Sequence, residues 1–295
     1  KVDSILRPRK RGPGEAFVLA AVHGAAYLSL FLLLGMIGYL FFKGFRELSL
    51  DFFTSVTSFL KGSGGIGGNL GNTLYIVIMA LAVSVPLGVG TAVFLNEYAG
   101  PGRLNSLAGL AMDTLSGIPS VIFGLFGMVL FGEVLGLGYS LLSGALTLAL
   151  AVLPLITKNT QEALRAVPEG FRSAALGMGA TKWHMIRTVL LPSGRPGILS
   201  GVTLAVGRIV GESAALLFTA GSARNLPRLG RGIGEILTGL KDKIFDSGGT
   251  LTIELYLQVQ RGEFGTAFGI SCVLLLIVLA GNLLLRLAVK GMAGK

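Results

Sequence analysis

Cysteine and histidine are nearly missing: one cysteine, Cys272, and two histidines, His23 and His184, stand in 295 residues. A single thiol excludes a disulfide-stapled secreted domain. No Cys/His cluster has metal-ligand spacing, so no metal site is expected. Charge is scarce as well, at 14% of residues, where a soluble chain carries roughly 25%. A solvated surface needs more than this, which argues against a soluble enzyme. HExxH and GxSxG are absent, so no catalytic residue and no cofactor is assigned. A membrane enzyme would have to work through Asp113 or Glu212. The glycine-rich run 62–71 has no following lysine in the GxxxxGK[S/T] arrangement, so no nucleotide is expected there. Glycine shows no three-residue period, which excludes collagen.

What the chain has in excess is apolar surface, glycine and positive charge. Hydrophobic residues make up 52% and the mean hydropathy is +0.74. The 45 glycines are about twice the usual share of roughly 7%, and close helix packing in a bilayer is the natural use for them. The net charge of +10 is best explained by Lys and Arg held on the cytoplasmic side of a membrane, with no nucleic-acid partner.

A spanning helix takes roughly 20 apolar residues. Six segments qualify: 16–42, 72–95, about 104–131, about 136–157, 196–221 and 264–285. The first has no Asp, Glu, Lys or Arg and is too long for a signal-peptide core, so it reads as a retained helix. Pro86 kinks the second, and Gly117-Ile118-Pro119 splits the third. The expected fold is therefore an all-α polytopic membrane protein. Basic residues cluster before the first span (Lys1, Arg7, Arg9, Lys10, Arg11), between spans four and five (Lys158, Arg165, Arg172, Lys182, Arg187, Arg195), and in the tail (Arg286, Lys290, Lys295). The positive-inside rule then places both termini and the 158–195 link in the cytoplasm. The expected organisation is a basic tail (1–15), a first helix (16–42), an outer segment (43–71), a unit of five further spans (72–285) and a tail (286–295).

Two outer segments are more than turns. Residues 45–61 place Phe45, Leu48, Phe52, Phe53, Val56, Phe59 and Leu60 at helix-like spacing, with 62–71 as a glycine-rich hinge. The loop 222–263 has a basic half, Arg224, Arg228 and Arg231, and reads as a solvated loop or a docking surface.

Only one basic residue, Arg208, falls deep inside a span, and only two acids do, Asp113 and Glu212. A charge at mid-bilayer costs several kcal/mol unless it faces a cavity or a partner. The i, i+4 spacing of Arg208 and Glu212 puts both on one helix face. Gly207 and Gly211 admit a hydrated path beside them, and Thr203 and Ser213 add hydroxyls. A guanidinium suits a tetrahedral oxyanion through its planar fork, with Glu212 balancing it when the site is empty. The bland alternative is a buried pair that only holds helices together. Asp113 reads as a membrane-edge or structural residue.

The 158–195 link carries its own pattern. Pro168-Glu169 starts a helix, with Phe171, Ala174, Ala175 and Met178 along one side. Thr181 caps a second short helix bearing Trp183, Ile186, Val189 and Leu190, which Leu191-Pro192 ends. These coupling helices between spans four and five need a partner for their apolar face.

Ser173-Ala174-Ala175, then Gly179, then Val189-Leu190-Leu191-Pro192, closely resembles the EAA loop of bacterial ATP-binding-cassette importer permeases, with Ser173 in place of the usual Glu and Val189 in place of Ile. Gly207 through Ala220 resembles the R-x-x-G-E-[ST]-A-x-L-L-F-T-A segment of phosphate importer permeases, and its ending favours the PstA type over the PstC type. Gly71–Leu74, Phe94–Tyr98 and Ser116–Gly124 fit the same family. The resemblance spans roughly residues 70–285. It implies a phosphate permease subunit in the cell membrane that works by alternating access, with Ser173, Ala174, Ala175, Gly179, Trp183, Leu191 and Pro192 docking an ATPase. It also implies a second permease of the PstC type, an ATPase dimer, an external phosphate-binding protein and surrounding lipid. A permease for another oxyanion, a stand-alone secondary transporter and a scaffold without a pore are the rival readings.

Overall fold

The computed structural model describes residues 13–58, 63–100, 102–225 and 233–293. The basic cluster before residue 12, Phe59, Leu60, Arg228 and Arg231 lie outside the described residues. Helix α1 spans Pro13–Gly44. It is apolar all round, and nearly all its described side chains are exposed within this chain. Such a surface is stable only against lipid or another subunit. It is pinned at its far end, where a Cβ on Gly44 would lie 2.4 Å from the Phe268 carbonyl oxygen.

The segment after α1 is not one amphipathic helix. A 3₁₀ turn at Phe45–Glu47 leads into a short α2, Leu50–Thr54. Strands β1 (Val56–Ser58) and β2 (Ser63–Ile66) then pair antiparallel, with Val56 opposite Ile66. The apolar spacing is real but its packing is not helical, since Phe52 and Ile66 are buried together against one end of the bundle. Nor is the glycine run a hinge. Ser63–Ile66 form β2, and Gly67–Gly71 open α3 (Gly67–Val93), where the second span begins five residues before position 72. Glycine is needed at 68, because a Cβ there would stand 1.9 Å from the Arg224 carbonyl oxygen.

Helix α3 runs on into a π turn at Phe94–Tyr98. The third span is broken where the sequence expects it. Helix α4 (Arg103–Gly117) ends before Ile118, whose extended backbone (φ −70°, ψ 130°) suits a residue preceding proline. Helix α5 (Ser120–Gly127) and a π segment to Val134 leave at 101°. Helix α6 (Leu141–Arg165) starts later than position 136 and runs past Lys158. The link holds α7 (Glu169–Gly177) and α8 (Lys182–Met185), whose cap Thr181 accepts from the His184 amide at 3.3 Å. Leu191-Pro192 does not end the second helix. A π turn at Ile186–Leu190 carries it into α9 (Leu191–Gly211), so the helix runs on through Pro192 with one backbone bond missing. The fifth span then breaks at Glu212-Ser213 before α10 (Ala214–Thr219). Helices α11 (Ile233–Phe245), α12 (Leu251–Gln260) and α13 (Phe264–Ala293) complete the chain. Five of the described helices are long and apolar enough to cross a membrane, or six if α4 and α5 form one bent span.

Helix α6 is the centre of the bundle, with α3 on one side and α9 on the other. Small residues set the approach. A Cβ on Gly88 of α3 would lie 2.7 Å from Ile156 Cγ2; on Gly197 and Gly201 of α9, 2.5 Å from Ala163 Cβ and 2.7 Å from Asn159 Cβ. The contacts Gly197–Ala163 and Gly201–Asn159 run in opposite chain directions, so α6 and α9 are antiparallel. Ile76, Ala80, Leu148, Val152, Ile156, Ala205 and Ile209 fill the seam.

Among its described residues, the loop 222–263 is folded in around Arg224 and Gly248–Glu254 rather than solvated throughout. Asn69 and Asn72 on the first turns of α3 donate to the Gly249 carbonyl at 3.0 and 3.1 Å, and Thr73 Oγ1 accepts from the Leu251 amide at 3.0 Å. Glu254, 1% exposed, accepts from Arg224 at 2.6 and 2.9 Å and from Gln258 at 2.6 Å. A buried carboxylate is tolerable only when satisfied in this way.

The packing predicts two outcomes. Gly201→Ala will lower the stability of the detergent-purified chain by about 1–3 kcal/mol through overpacking. Gly207→Ala, whose Cβ meets nothing within 4 Å, will leave it unchanged; thermal unfolding of both variants is the check. For orientation, in a Cys272→Ser background an impermeant external thiol reagent will label Lys241→Cys and spare Gly170→Cys in intact cells. The reverse pattern would overturn the charge-based placement.

Candidate functional site: two helix breaks and a coupling loop

The break in α9 falls in the middle of the bundle. Following the antiparallel register from Gly201–Asn159, Arg208 lies level with Val152, halfway along α6. Beyond Arg208 the helix lasts one more turn. Glu212 then turns extended (φ −81°, ψ 127°). Its carboxylate accepts from the Ala215 amide at 3.2 Å, at the start of α10. Its carbonyl accepts from Thr252 Oγ1 at 2.8 Å, and Thr252 Oγ1 lies 2.9 Å from Thr250 Oγ1. The break is thus capped from two sides, one of them the folded-in loop.

This geometry corrects the helical pairing of Arg208 with Glu212. The two share no helix face, because the helix ends between them. Glu212 is turned toward α10 and α12, and Arg208 stays on α9. Among the described residues Arg208 has no hydrogen bond or ion pair. Its surroundings follow from the seam. Gly194, Gly201, Ala205 and Ile209 are buried, while Ser200, Leu204 and Gly211 are exposed. Gly207 and Gly211 have open space where a Cβ would stand. Arg208, half-buried, therefore borders the stripe of α9 that this chain leaves uncovered. Thr203 and Ser213 are half-buried too. Thr203 bonds back to the Leu199 carbonyl at 2.8 Å, and Ser213 precedes α10 without capping it by its side chain.

The second break, at Ile118-Pro119, adjoins the first. Helix α5 packs closely on α10 and on α6: a Cβ on Gly124 would lie 2.8 Å from Ala215 Cα of α10, and one on Gly127 would lie 2.0 Å from Thr147 Oγ1 of α6. Asp113 on α4 forms an ion pair with Lys158 on α6. Sequence spacing gives no hint of that pair, since the residues belong to different spans.

The coupling loop sits at the end of the bundle away from loop 222–263. Ala175 of α7 is buried with Met185, Ile186 and Leu190 against Val93 and Leu164. Ala174, Ser173, Phe171, Met178 and Trp183 are exposed, the last three at 55%, 84% and 61%. The loop thus has one apolar side tied down and another uncovered. Gly179 joins the helices at φ +84° with no atom within 4 Å of its Cβ position, so backbone conformation, not space, calls for glycine here. Leu191 and Pro192 are half-buried at the start of α9. Trp183, Ile186 and Leu191 line an apolar groove of about 500 Å³ together with Phe94 and Tyr98.

Arg172 is the anchor of this loop. It donates to the Leu164 and Val167 carbonyls at 2.7 and 2.9 Å, ending α6 with positive charge, and pairs with Glu169 at 3.1 Å and Glu97 at 3.5 Å. Lys182 donates to the Glu97 carbonyl and stands 4.9 Å above the Tyr98 ring. The π turn Phe94–Tyr98 is therefore the bracket between α3 and the loop. Sequence reading places Arg172 only in a charge census. The sole signal for Glu97 is its place in the Phe94–Tyr98 stretch.

Comparison with known proteins matches this architecture. Residues 84–294 match the family of binding-protein-dependent transport system inner membrane components. A probable ABC transporter permease protein, YqgI of Bacillus subtilis, is 36% identical over 86% of this chain and 88% of its own length. The phosphate transport system permease protein PstA of Haemophilus influenzae is 35% identical over 75% of this chain and 78% of its own. Among solved structures, a bacterial alginate ABC transporter in complex with an alginate-bound periplasmic protein aligns with a TM-score of 0.60 at 16% identity, over 93% of this chain and 95% of that one. With its multiple apolar helices, its central breaks and its half-covered loop, the chain belongs to the binding-protein-dependent transport system inner membrane components, as a multi-pass membrane subunit of an ABC importer.

Proposed function

We propose that this chain is the PstA-type permease subunit that carries inorganic phosphate into the cytoplasm. Arg208 carries the reading. It is a guanidinium at the mid-depth of the bundle, at the edge of an uncovered stripe and with no protein acceptor among the described residues. Facing lipid, it would cost roughly 2.5–3.5 kcal/mol even on insertion scales. Facing a hydrated path shared with a second permease, it offers fork-like donors to a tetrahedral oxyanion. The name of the Haemophilus influenzae relative and the Gly207–Ala220 segment point to phosphate as that oxyanion. Glu212 contributes by holding the break open rather than by neutralising Arg208. Thr203 and Ser213 stand within a turn or so of Arg208 along the chain.

The uncovered side of the coupling loop is the proposed seat of an ATPase dimer, with Ser173, Ala174, Gly179 and Trp183 at the contact and ATP hydrolysed in that partner. A PstC-type permease would complete the path, an external phosphate-binding protein would deliver the anion, and alternating access would move it. The domain limits 1–15, 16–42, 43–71, 72–285 and 286–295 belong to the same reading.

Two sets of variants test it. Gly179→Asp puts a charge into the dock and will leave ATP hydrolysis running while phosphate uptake falls. Arg172→Met removes charge-assisted hydrogen bonds worth about 2–3 kcal/mol, so amide exchange in 169–186 will rise by roughly 30–150-fold while α13 is unchanged. Normal uptake by the Gly179 variant would remove the docking idea. At the centre, Arg208→Lys keeps charge but loses the fork, so uptake will fall. Arg208→Gln will abolish uptake in complexes that still assemble. Glu212→Gln retains an acceptor for the Ala215 amide and will be milder. If uptake in every variant simply tracks the yield of intact complex, Arg208 is structural and the anion path is wrong.

A further inference from the structure

The ion pair between Asp113 and Lys158 has no part in the site described above. Its position is informative. Helix α6 continues seven residues beyond Lys158 to Arg165, which places Lys158 about 10 Å in from the coupling-loop end at 1.5 Å per residue. Asp113 lies ten residues into α4 from Arg103, about 15 Å along that helix. Helix α6, about 37 Å long, outlasts a hydrocarbon core of roughly 30 Å, so Lys158 lies just inside the coupling-loop face of the bundle. There 68% of the Asp113 side chain and 36% of the Lys158 side chain are exposed in this chain. Lys158 also adjoins Asn159, the residue that Gly201 of α9 touches. By the same register Arg208 lies level with Val152, six residues from Lys158, or about 9 Å along the bundle.

We propose that Lys158 is a second oxyanion station, one step nearer the coupling loop than Arg208, and that Asp113 is its resident counterion. This rests on the reading of Arg208 as part of an anion path. The two cations differ in a way that suits sequence in a path. Arg208 offers a planar fork, which holds a tetrahedral anion by two donors at once. Lys158 offers a rotatable point charge, which binds without fixed geometry and lets go more readily. An anion arriving at Lys158 takes the place of the Asp113 carboxylate, so the ammonium is never left bare at that depth. When the anion leaves, Asp113 re-forms the pair and closes the way back. Conduction of any ion needs this balance between entry and release.

The experiment uses the complete transport complex, with its ATPase and second permease, in proteoliposomes supplied with radiolabelled inorganic phosphate and the external binding protein. Lys158→Gln will lower the maximal uptake rate about tenfold with the yield of complex unchanged. Lys158→Arg keeps the charge but adds the fork, so the apparent KM will fall and the maximal rate will fall less than in Lys158→Gln. Asp113→Asn leaves the cation unopposed, so the apparent KM will fall and the maximal rate will fall with it, because release is slowed. Arg208→Gln is run beside them. Normal uptake in Lys158→Gln with uptake lost in Arg208→Gln overturns the second station and leaves the path intact. Normal uptake in both removes the path itself. If Lys158→Gln and Asp113→Asn instead lose uptake alike and in proportion to yield, the pair is only a strut between α4 and α6, and the proposal fails.

Discussion

Close approach of backbones around α6 is the constraint on which the rest depends. In a bilayer, apolar side chains gain little by leaving lipid for one another, so helices associate through packing area and short polar contacts. The chain meets this with glycine. Gly88, Gly197, Gly201 and Gly127 each bring a neighbour to a distance that a Cβ would forbid. Once α3 and α9 are seated, Ser200, Leu204 and Gly211 of α9 are left uncovered by this chain. Arg208, seven residues on from Gly201 and half-buried, sits at the margin between the packed face and that uncovered stripe.

The second requirement is that a helix interrupted inside the bundle must have its backbone groups satisfied by protein. Two spans are interrupted here. At Pro119 the missing N–H and the extended residue before it do the work locally. At Glu212 the work is done from a distance, by a carboxylate reaching the Ala215 amide and by Thr252 from a loop forty residues on. The folded-in loop is thus a structural component of the site as well as a surface. Its own stability rests on Asn69, Asn72, Thr73 and the buried Glu254.

These two breaks also show why some of the structure is legible in sequence and some is not. Spans, the Pro119 break, the Pro168-Glu169 start and the Thr181 cap rest on local chemistry and can be read from neighbouring residues. The Glu212 break cannot, because Gly211-Glu212-Ser213 continues a helix pattern and only Thr252 and Ala215 decide otherwise. The helix-like spacing of 45–61 misleads for a related reason. A hairpin that buries Phe52 and Ile66 in one cluster uses the same apolar positions in a different geometry. Asp113 with Lys158, and Arg172 with Glu97, join different spans, and nothing in a single sequence pairs them. Leu191-Pro192 reads as a stop because proline usually stops helices, but here the π turn before it carries the helix on past the missing N–H.

That last feature has a mechanical side. Because the π turn joins α8 to α9, one helix runs unbroken from Lys182 to Gly211, 30 residues and about 45 Å long at 1.5 Å per residue. It is a lever, with Trp183 near one end and Arg208 near the other, roughly 38 Å apart. A tilt of about 10° about the Trp183 end displaces Arg208 by roughly 7 Å, more than the length of a guanidinium hydrogen bond. The seam with α6 at Gly197–Ala163 and Gly201–Asn159 ties the rod to the bundle's central helix. The backbone ladder of the rod is interrupted at the wide turn Ile186–Leu190 and at Pro192, both nearer to Trp183 than to Arg208, and at Pro196, midway between them.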